Sequence, residues 1–167
     1  MKIEFVGGFG PVVADPAASR AFWAGDLGIG VTEFAPDYYG IDDLDGVKTF
    51  AIWPLDQAAA SCFGSVLWPA DIPVPQAWIE FDVAGPEAVT AAAAELEASG
   101  HRLLRQPGPE PWGQTVARLL SRKESSSASH SPRGCTRHQR TTLKLRSPVG
   151  RSCPLTARNR RRPSTAR

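Results

Sequence analysis

The amino-acid sequence predicts an α/β fold of the α+β type, made from two β-α-β-β-β modules. Two observations lead to this prediction. Short apolar segments with strand-like alternation are separated by Pro, Gly and Asp turns, and two Ala-rich helical segments each begin at a proline that follows a strand. The modules are predicted at residues 1–55 and 76–121, joined by a linker at 56–75.

The first module begins with alternating apolar residues that continue to Val13, which predicts a strand. Asp15 suits a helix N-cap and Pro16 the first helical position, where its missing N–H costs nothing. An apolar stripe of Ala18, Ala21, Phe22 and Gly25 is expected on this helix, which should end at Gly28 and Gly30. Three further strands are predicted at 29–34, 38–44 and 47–53, with a short helix at 55–62.

The second module repeats the first with an offset of 70 residues, so that Val13-Ala14 and Pro16 match Val83-Ala84 and Pro86. Strand 78–83 is followed by a helix over 86–99, and further strands are predicted at 103–104 and 115–120. Because Ala-rich helices match one another by chance, the repeated Val-Ala-x-Pro corner is the informative part of this duplication.

Charge divides the chain at residue 121. Residues 1–121 have a net charge of −10 and contain every Trp, Tyr and Phe, whereas residues 122–167 have a net charge of +12. A segment without large apolar side chains cannot form a core, so 122–167 is predicted to be a basic disordered tail. Its arginines lack accompanying aromatic residues or Gly-rich repeats, which argues against nucleic-acid binding by the tail.

The three cysteines form no CxxC pair, so neither a disulfide framework nor a zinc knuckle is indicated. The N-terminus lacks the apolar run of a signal peptide, and no stretch is apolar enough for a membrane span. We therefore expect a cytoplasmic protein without a membrane partner.

The corner of residues 12–23 followed by Leu27-Gly28, together with the segment 111–115, resembles the vicinal-oxygen-chelate superfamily of glyoxalases, bleomycin-resistance proteins and extradiol dioxygenases. The resemblance covers residues 1–121. It implies paired β-α-β-β-β modules in a curled mixed sheet around a cleft, and a homodimer when the chain is intact. In this superfamily an apolar strand such as 116–120 is followed by one more strand. Here Ser121 is followed by Arg122-Lys123, so that strand is expected to be missing and the tail is interpreted as a frameshift product.

Metal-dependent members of the superfamily place His or Glu on strands one, four, five and eight. Alignment by the corner puts Gly8 and Trp78 at two of these positions, and the segment 47–53 contains no His, Asp or Glu. Of the three histidines, His101 follows a helix stop and the other two lie in the tail. We therefore expect no metal and no cofactor, unless a partner subunit completes a site.

Alternation on the fifth strand places Trp78, Glu80 and Asp82 on one face, where they are expected to line the cleft. Trp53 and Trp112 stand at strand ends where aromatic residues can close over a ligand. These five residues are the candidate ligand-binding site, and an acidic aromatic cleft of this kind suits a planar or cationic organic molecule. The competing interpretation is that Glu80 and Asp82 lie on the solvent-exposed face of a strand and that the tryptophans are core residues.

The sequence thus favours a small-molecule-binding protein that uses no metal. One alternative is a metal-dependent lyase or dioxygenase whose site is completed by the missing strand or a partner subunit. A second alternative is a truncated copy without function.

Overall fold

A computed structural model describes residues 1–42, 44–121 and 141–146. It contains eight strands, three α-helices and one π-helical segment among these residues. In chain order they are β1 (Phe5–Val13), α1 (Pro16–Arg20), the π-helical segment (Ala21–Asp26), β2 (Thr32–Ala35), β3 (Tyr38–Ile41), β4 (Thr49–Pro54), α2 (Leu55–Phe63), β5 (Ala77–Asp82), α3 (Pro86–Ala98), β6 (Leu103–Pro109), β7 (Thr115–Leu120) and β8 (Thr141–Arg146).

All eight strands form one mixed sheet in the order β2-β3-β4-β1-β5-β8-β7-β6. Strand β1 is parallel to β4, and β5 is parallel to β8, while β1 and β5 join the two halves in antiparallel orientation. Each half is therefore a β-α-β-β-β module with the same internal strand order. The predicted fold class and the duplication are confirmed.

The expectation that the last strand is missing was wrong. Strand β8 lies between β5 and β7 and pairs with both, so it occupies the last place of the second module. Its sequence alternates Leu143 and Leu145 with polar residues, and Leu145 is buried in the core under α3. The pattern escaped detection because it spans six residues inside a strongly basic stretch. The predicted disorder of the tail concerns residues that, apart from 141–146, lie outside the described part of the chain.

Helix α3 covers one side of the sheet, which we call the helix face. Val89, Ala92 and Ala93 of this helix are buried there. They pack against Val83, Ala117 and Leu145, and these six residues form a hydrophobic core. Apolar residues on α3 at i, i+3 and i+4 produce this contact, as the sequence predicted.

Helix α1 begins as predicted, because the Asp15 carboxylate accepts a hydrogen bond from the Ala18 N–H at 3.0 Å and Pro16 follows at the first helical position. The predicted apolar stripe, which included Phe22, was wrong. The helix continues as the π-helical segment. Trp23 contacts Phe50 of the sheet, with ring centroids 5.0 Å apart, while Phe22 is 46% exposed.

The predicted helix stop at Gly28 is confirmed, because the π-helical segment ends at Asp26 and Gly28 follows with a φ of 70°, which glycine adopts at little cost. Within the described residues, no helix combines the length and apolar character needed to cross a bilayer.

Candidate functional site

The face of the sheet opposite α3 is called the inner face here. On β5 it carries Trp78, Glu80 and Asp82, which alternate with Ile79 and Phe81 as the sequence predicted. The inner face is the more buried of the two, since Trp78 is 2%, Glu80 7% and Asp82 0% exposed. The competing interpretation was wrong in making Glu80 and Asp82 solvent-exposed, since both carboxylates are buried. Its other part is confirmed for Trp53 and Trp78, which belong to a buried core cluster.

Trp78 lies flat against a glycine-lined part of β1. A Cβ added at Gly8 would come within 2.8 Å of the indole ring, and the ring nitrogen donates a hydrogen bond to the Ala51 carbonyl at 3.1 Å. The absence of side chains at Gly8 and Gly10 is what gives this large ring room. Trp78 thus joins β5 of the second module to β1 and β4 of the first.

Trp53, at the end of β4, meets Trp78 edge to face with ring centroids 6.2 Å apart and an interplanar angle of 78°. Ala58 of helix α2 and Ala51 complete this cluster, so α2 packs over the inner face. The structure therefore brings together two of the three tryptophans that the sequence proposed. Edge-to-face pairs of this kind are held by the ring quadrupole as well as by burial.

Asp82 forms an ion pair with Lys48, with Nζ and Oδ2 3.2 Å apart. Lys48 lies before β4 and its ammonium also stands 3.5 Å from the centre of the Phe5 ring. Its side chain is 48% exposed while that of Asp82 is fully buried, so the pair connects the interior of the inner face with solvent. The β5 carboxylates are accordingly not an isolated acidic wall.

A group of charged residues that the sequence analysis missed lies beside Trp53. Arg118 of β7 is 1% exposed, and its Nη1 donates to Glu110 Oε1 at 2.6 Å. Arg105 of β6 approaches the same oxygen at 3.2 Å and donates to the Ser61 carbonyl at 2.9 Å. We call Arg105, Glu110 and Arg118 the guanidinium cluster.

Arg118 also stands over the Trp53 ring, with its Cζ 5.9 Å from the ring centre. Its Nε–H is buried and meets no acceptor among the described residues. The signal that could have revealed this residue is a single arginine within the apolar run of β7, since a charge in such a strand is expected to be buried and paired.

Trp112, the fifth candidate residue, does not join the two buried tryptophans. It lies in the turn between β6 and β7 and is 55% exposed, with its ring nitrogen donating to the Gln114 side chain at 2.6 Å. The same turn carries Glu110, whose N–H donates to the Gln114 carbonyl at 2.7 Å. Trp112 therefore occupies the rim of the inner face near the guanidinium cluster.

The inner-face positions level with Gly8 are Thr49 on β4 and Glu80 on β5. They offer one carboxylate, and no group of three or more His, Cys, Asp or Glu residues converges anywhere in the described ranges. These residues do not fit a divalent metal held by protein ligands, which needs at least three donors. No chemical step can be derived through a metal from this donor set.

No protein-family model matches the chain, and no curated protein matches its sequence. Solved structures with a similar arrangement include a glyoxalase/bleomycin resistance protein/dioxygenase from Nocardioides, with 17% identity, a TM-score of 0.35 and coverage of 92% of this chain and 89% of that one. A superfamily member from Vibrio splendidus 12B01 has 14% identity, a TM-score of 0.47 and coverage of 86% and 97%. A methylmalonyl-CoA epimerase from Streptomyces coelicolor has 17% identity, a TM-score of 0.45 and coverage of 86% and 95%.

These proteins are similar to the chain in fold alone. The paired modules and the strand order of the sheet are those expected from the vicinal-oxygen-chelate resemblance.

Proposed function

We propose that the protein binds a planar organic molecule at the inner face of its sheet and uses no metal to do so. The observation that carries the proposal is the row of deeply buried charges, Glu80, Asp82 and Arg118, beside the paired rings of Trp53 and Trp78. A sheet face that served only as a core would be mostly apolar, since charged side chains are almost never fully buried unless paired. Buried charges gathered beside aromatic rings on one face are typical of binding sites.

In this proposal each of the five candidate residues has a role. Trp53 and Trp78 form an aromatic floor, and Glu80 and Asp82 form an acidic side that receives a cationic group of the ligand. Trp112 closes the rim from its exposed turn. Asp82 pairs with Lys48, and Glu80 is the next inner-face residue of β5 toward Trp78, so its carboxylate lies nearer the aromatic floor.

Binding can be tested with proflavine, a planar cation, by quenching of tryptophan fluorescence and by titration calorimetry. We expect saturable binding at one site per chain. Glu80→Gln should weaken binding about tenfold or more, because hydrogen bonds and pairing with a charged group contribute about 1.5–3 kcal/mol. The matched control is Glu97→Gln, which should leave the affinity unchanged. Glu97 is an exposed carboxylate on α3 that accepts a hydrogen bond from the Gln106 side chain.

The same titration tests the metal-free part of the proposal. Protein treated with EDTA and desalted should bind proflavine as tightly as untreated protein. If binding disappears with the chelator and returns with one equivalent of a divalent ion, the metal-dependent lyase or dioxygenase becomes the better interpretation. Absence of saturable binding with both preparations would overturn the proposed function.

A further inference from the structure

We infer that the guanidinium cluster is the anion-binding end of the same site, so that the ligand is a planar molecule carrying a carboxylate or similar anionic group. This inference rests on the proposed binding function and specifies one end of its ligand. It starts from a hydrogen-bond donor that the described residues leave unused.

Arg118 presents that donor. Its side chain is 1% exposed, one of its terminal nitrogens is bonded to Glu110, and its Nε–H is buried without an acceptor among the described residues. Buried N–H groups nearly always have an acceptor, because leaving a donor unsatisfied costs the desolvation energy of that group. An arginine that lies against an aromatic ring with Nε–H free is arranged to receive one oxygen of a ligand.

The charge of the cluster favours an anion. Arg105 and Arg118 both approach the same Glu110 oxygen, at 3.2 and 2.6 Å, so two positive groups share one negative group and one positive charge is in excess. Arg105 is a third exposed and reaches the cluster from β6, while its other bond to the Ser61 carbonyl fixes it under α2. A carboxylate placed at Arg118 Nε would neutralise the excess charge.

The geometry also defines how the ligand lies. The Arg118 guanidinium stands 5.9 Å from the centre of the Trp53 ring, so an anion bound at Nε is held at the edge of the aromatic floor. Arg118 and Glu80 are each in register with Lys144 of the strand between them. Two strand spacings separate them, which is about 10 Å. The two groups are thus far enough apart to contact opposite ends of one planar ligand.

The test compares two probes of the same shape, 2-naphthoate and 2-naphthalenemethanol, by calorimetry on the folded full-length chain. Wild-type protein should bind the carboxylate about tenfold more tightly than the alcohol, which is the preference expected of one charge-assisted hydrogen bond. Arg118→Lys keeps the positive charge and removes the Nε donor, so it should reduce this ratio to near one. Arg105→Met removes the excess charge from a partly exposed position and should lower the ratio by severalfold.

Arg20→Met is the matched control, because Arg20 lies over the Tyr39 ring at 5.1 Å on the helix face and should leave the ratio unchanged. A purely structural role for Arg118 would weaken both probes together and leave their ratio intact. If wild-type protein binds the two probes equally and still binds proflavine, the proposal of an anion-binding end is wrong while the proposed function stands. The Arg118 Nε–H would then donate to an ordered water. Failure of all three planar probes would overturn the proposed function together with it.

Discussion

The inner surfaces of the two modules differ although their backbones follow the same path. In the first module Gly40 of β3 pairs with Ala51 of β4, and Ala51 lies against Gly10 of β1. In the second module Arg118 pairs with Lys144 of β8, which pairs with Glu80 of β5. The row Gly40, Ala51 and Gly10 in the first module thus occupies the same strand positions as the row Arg118, Lys144 and Glu80 in the second.

This difference explains how one half of the inner face came to hold aromatic rings and the other half charges. The small residues leave space, which Trp78 of the second module fills as it lies over Gly8 and Gly10. Arg118 of the second module belongs to the guanidinium cluster, which meets these rings at Trp53. The duplicated backbone therefore supports an asymmetric site, with a ring-binding half and a charge-binding half.

The largest expected effect follows from the small residues of the first module. A Cβ at Gly10 would lie 1.8 Å from the Ala51 carbonyl oxygen, which is backbone and cannot move aside without separating β1 from β4. Gly10→Ala should therefore destabilise the protein by roughly 4 kcal/mol or more, measured by urea unfolding. Gly25→Ala is the control. Its Cβ meets nothing within 4 Å, and in a helical segment the change should instead stabilise by about 0.5–1 kcal/mol. Equal stability of the two variants would contradict the close packing assigned to the first module.

The next effect concerns the charges of the second module. Glu110→Gln keeps the shape of the side chain but leaves buried Arg118 without its counter-charge, which should cost about 3 kcal/mol in thermal or urea unfolding. The double variant Glu110→Gln, Arg118→Met should recover much of this loss, because it removes the uncompensated charge. Glu33→Gln, an exposed carboxylate of the first module that accepts from the Asp37 N–H, should change stability by less than about 0.5 kcal/mol. A double variant no more stable than the single one would show that the cluster contributes by packing and not by charge.

Local signals in the sequence were sufficient for much of the fold. The Asp15-Pro16 corner, the repeat at Pro86 and the alternation along β5 each depend on neighbouring residues, so each could be recognised without the tertiary structure. Strand β8 was missed because its partners β5 and β7 stabilise it from outside its own short segment. Its existence depends on pairing between distant residues, which composition does not reveal.

The candidate site shows the same division. The shared face of Trp78, Glu80 and Asp82 follows from alternation and was predicted. The guanidinium cluster joins β6, β7, the turn between them and α2, and no spacing rule relates Arg105, Glu110 and Ser61. Trp112 was grouped with the other tryptophans because it stands beside a strand, but the turn holds it at the rim.

The smallest expected effect lies at the two helix starts, which the duplication made equivalent. Asp15 caps α1 through its bond to Ala18, whereas Gly85 stands at the same place before α3 and provides no side-chain cap. Asp15→Ala should lower stability by about 1 kcal/mol. Gly85→Ser should raise it by a few tenths, about 0.3–0.5 kcal/mol, because its φ of 174° suits any residue and its Cβ would meet nothing within 4 Å. Urea unfolding of both variants decides whether the two corners obey the same capping rule. A loss of stability in Gly85→Ser would show that the second corner needs glycine for a reason other than capping, and the equivalence of the two helix starts would then be limited to their backbone path.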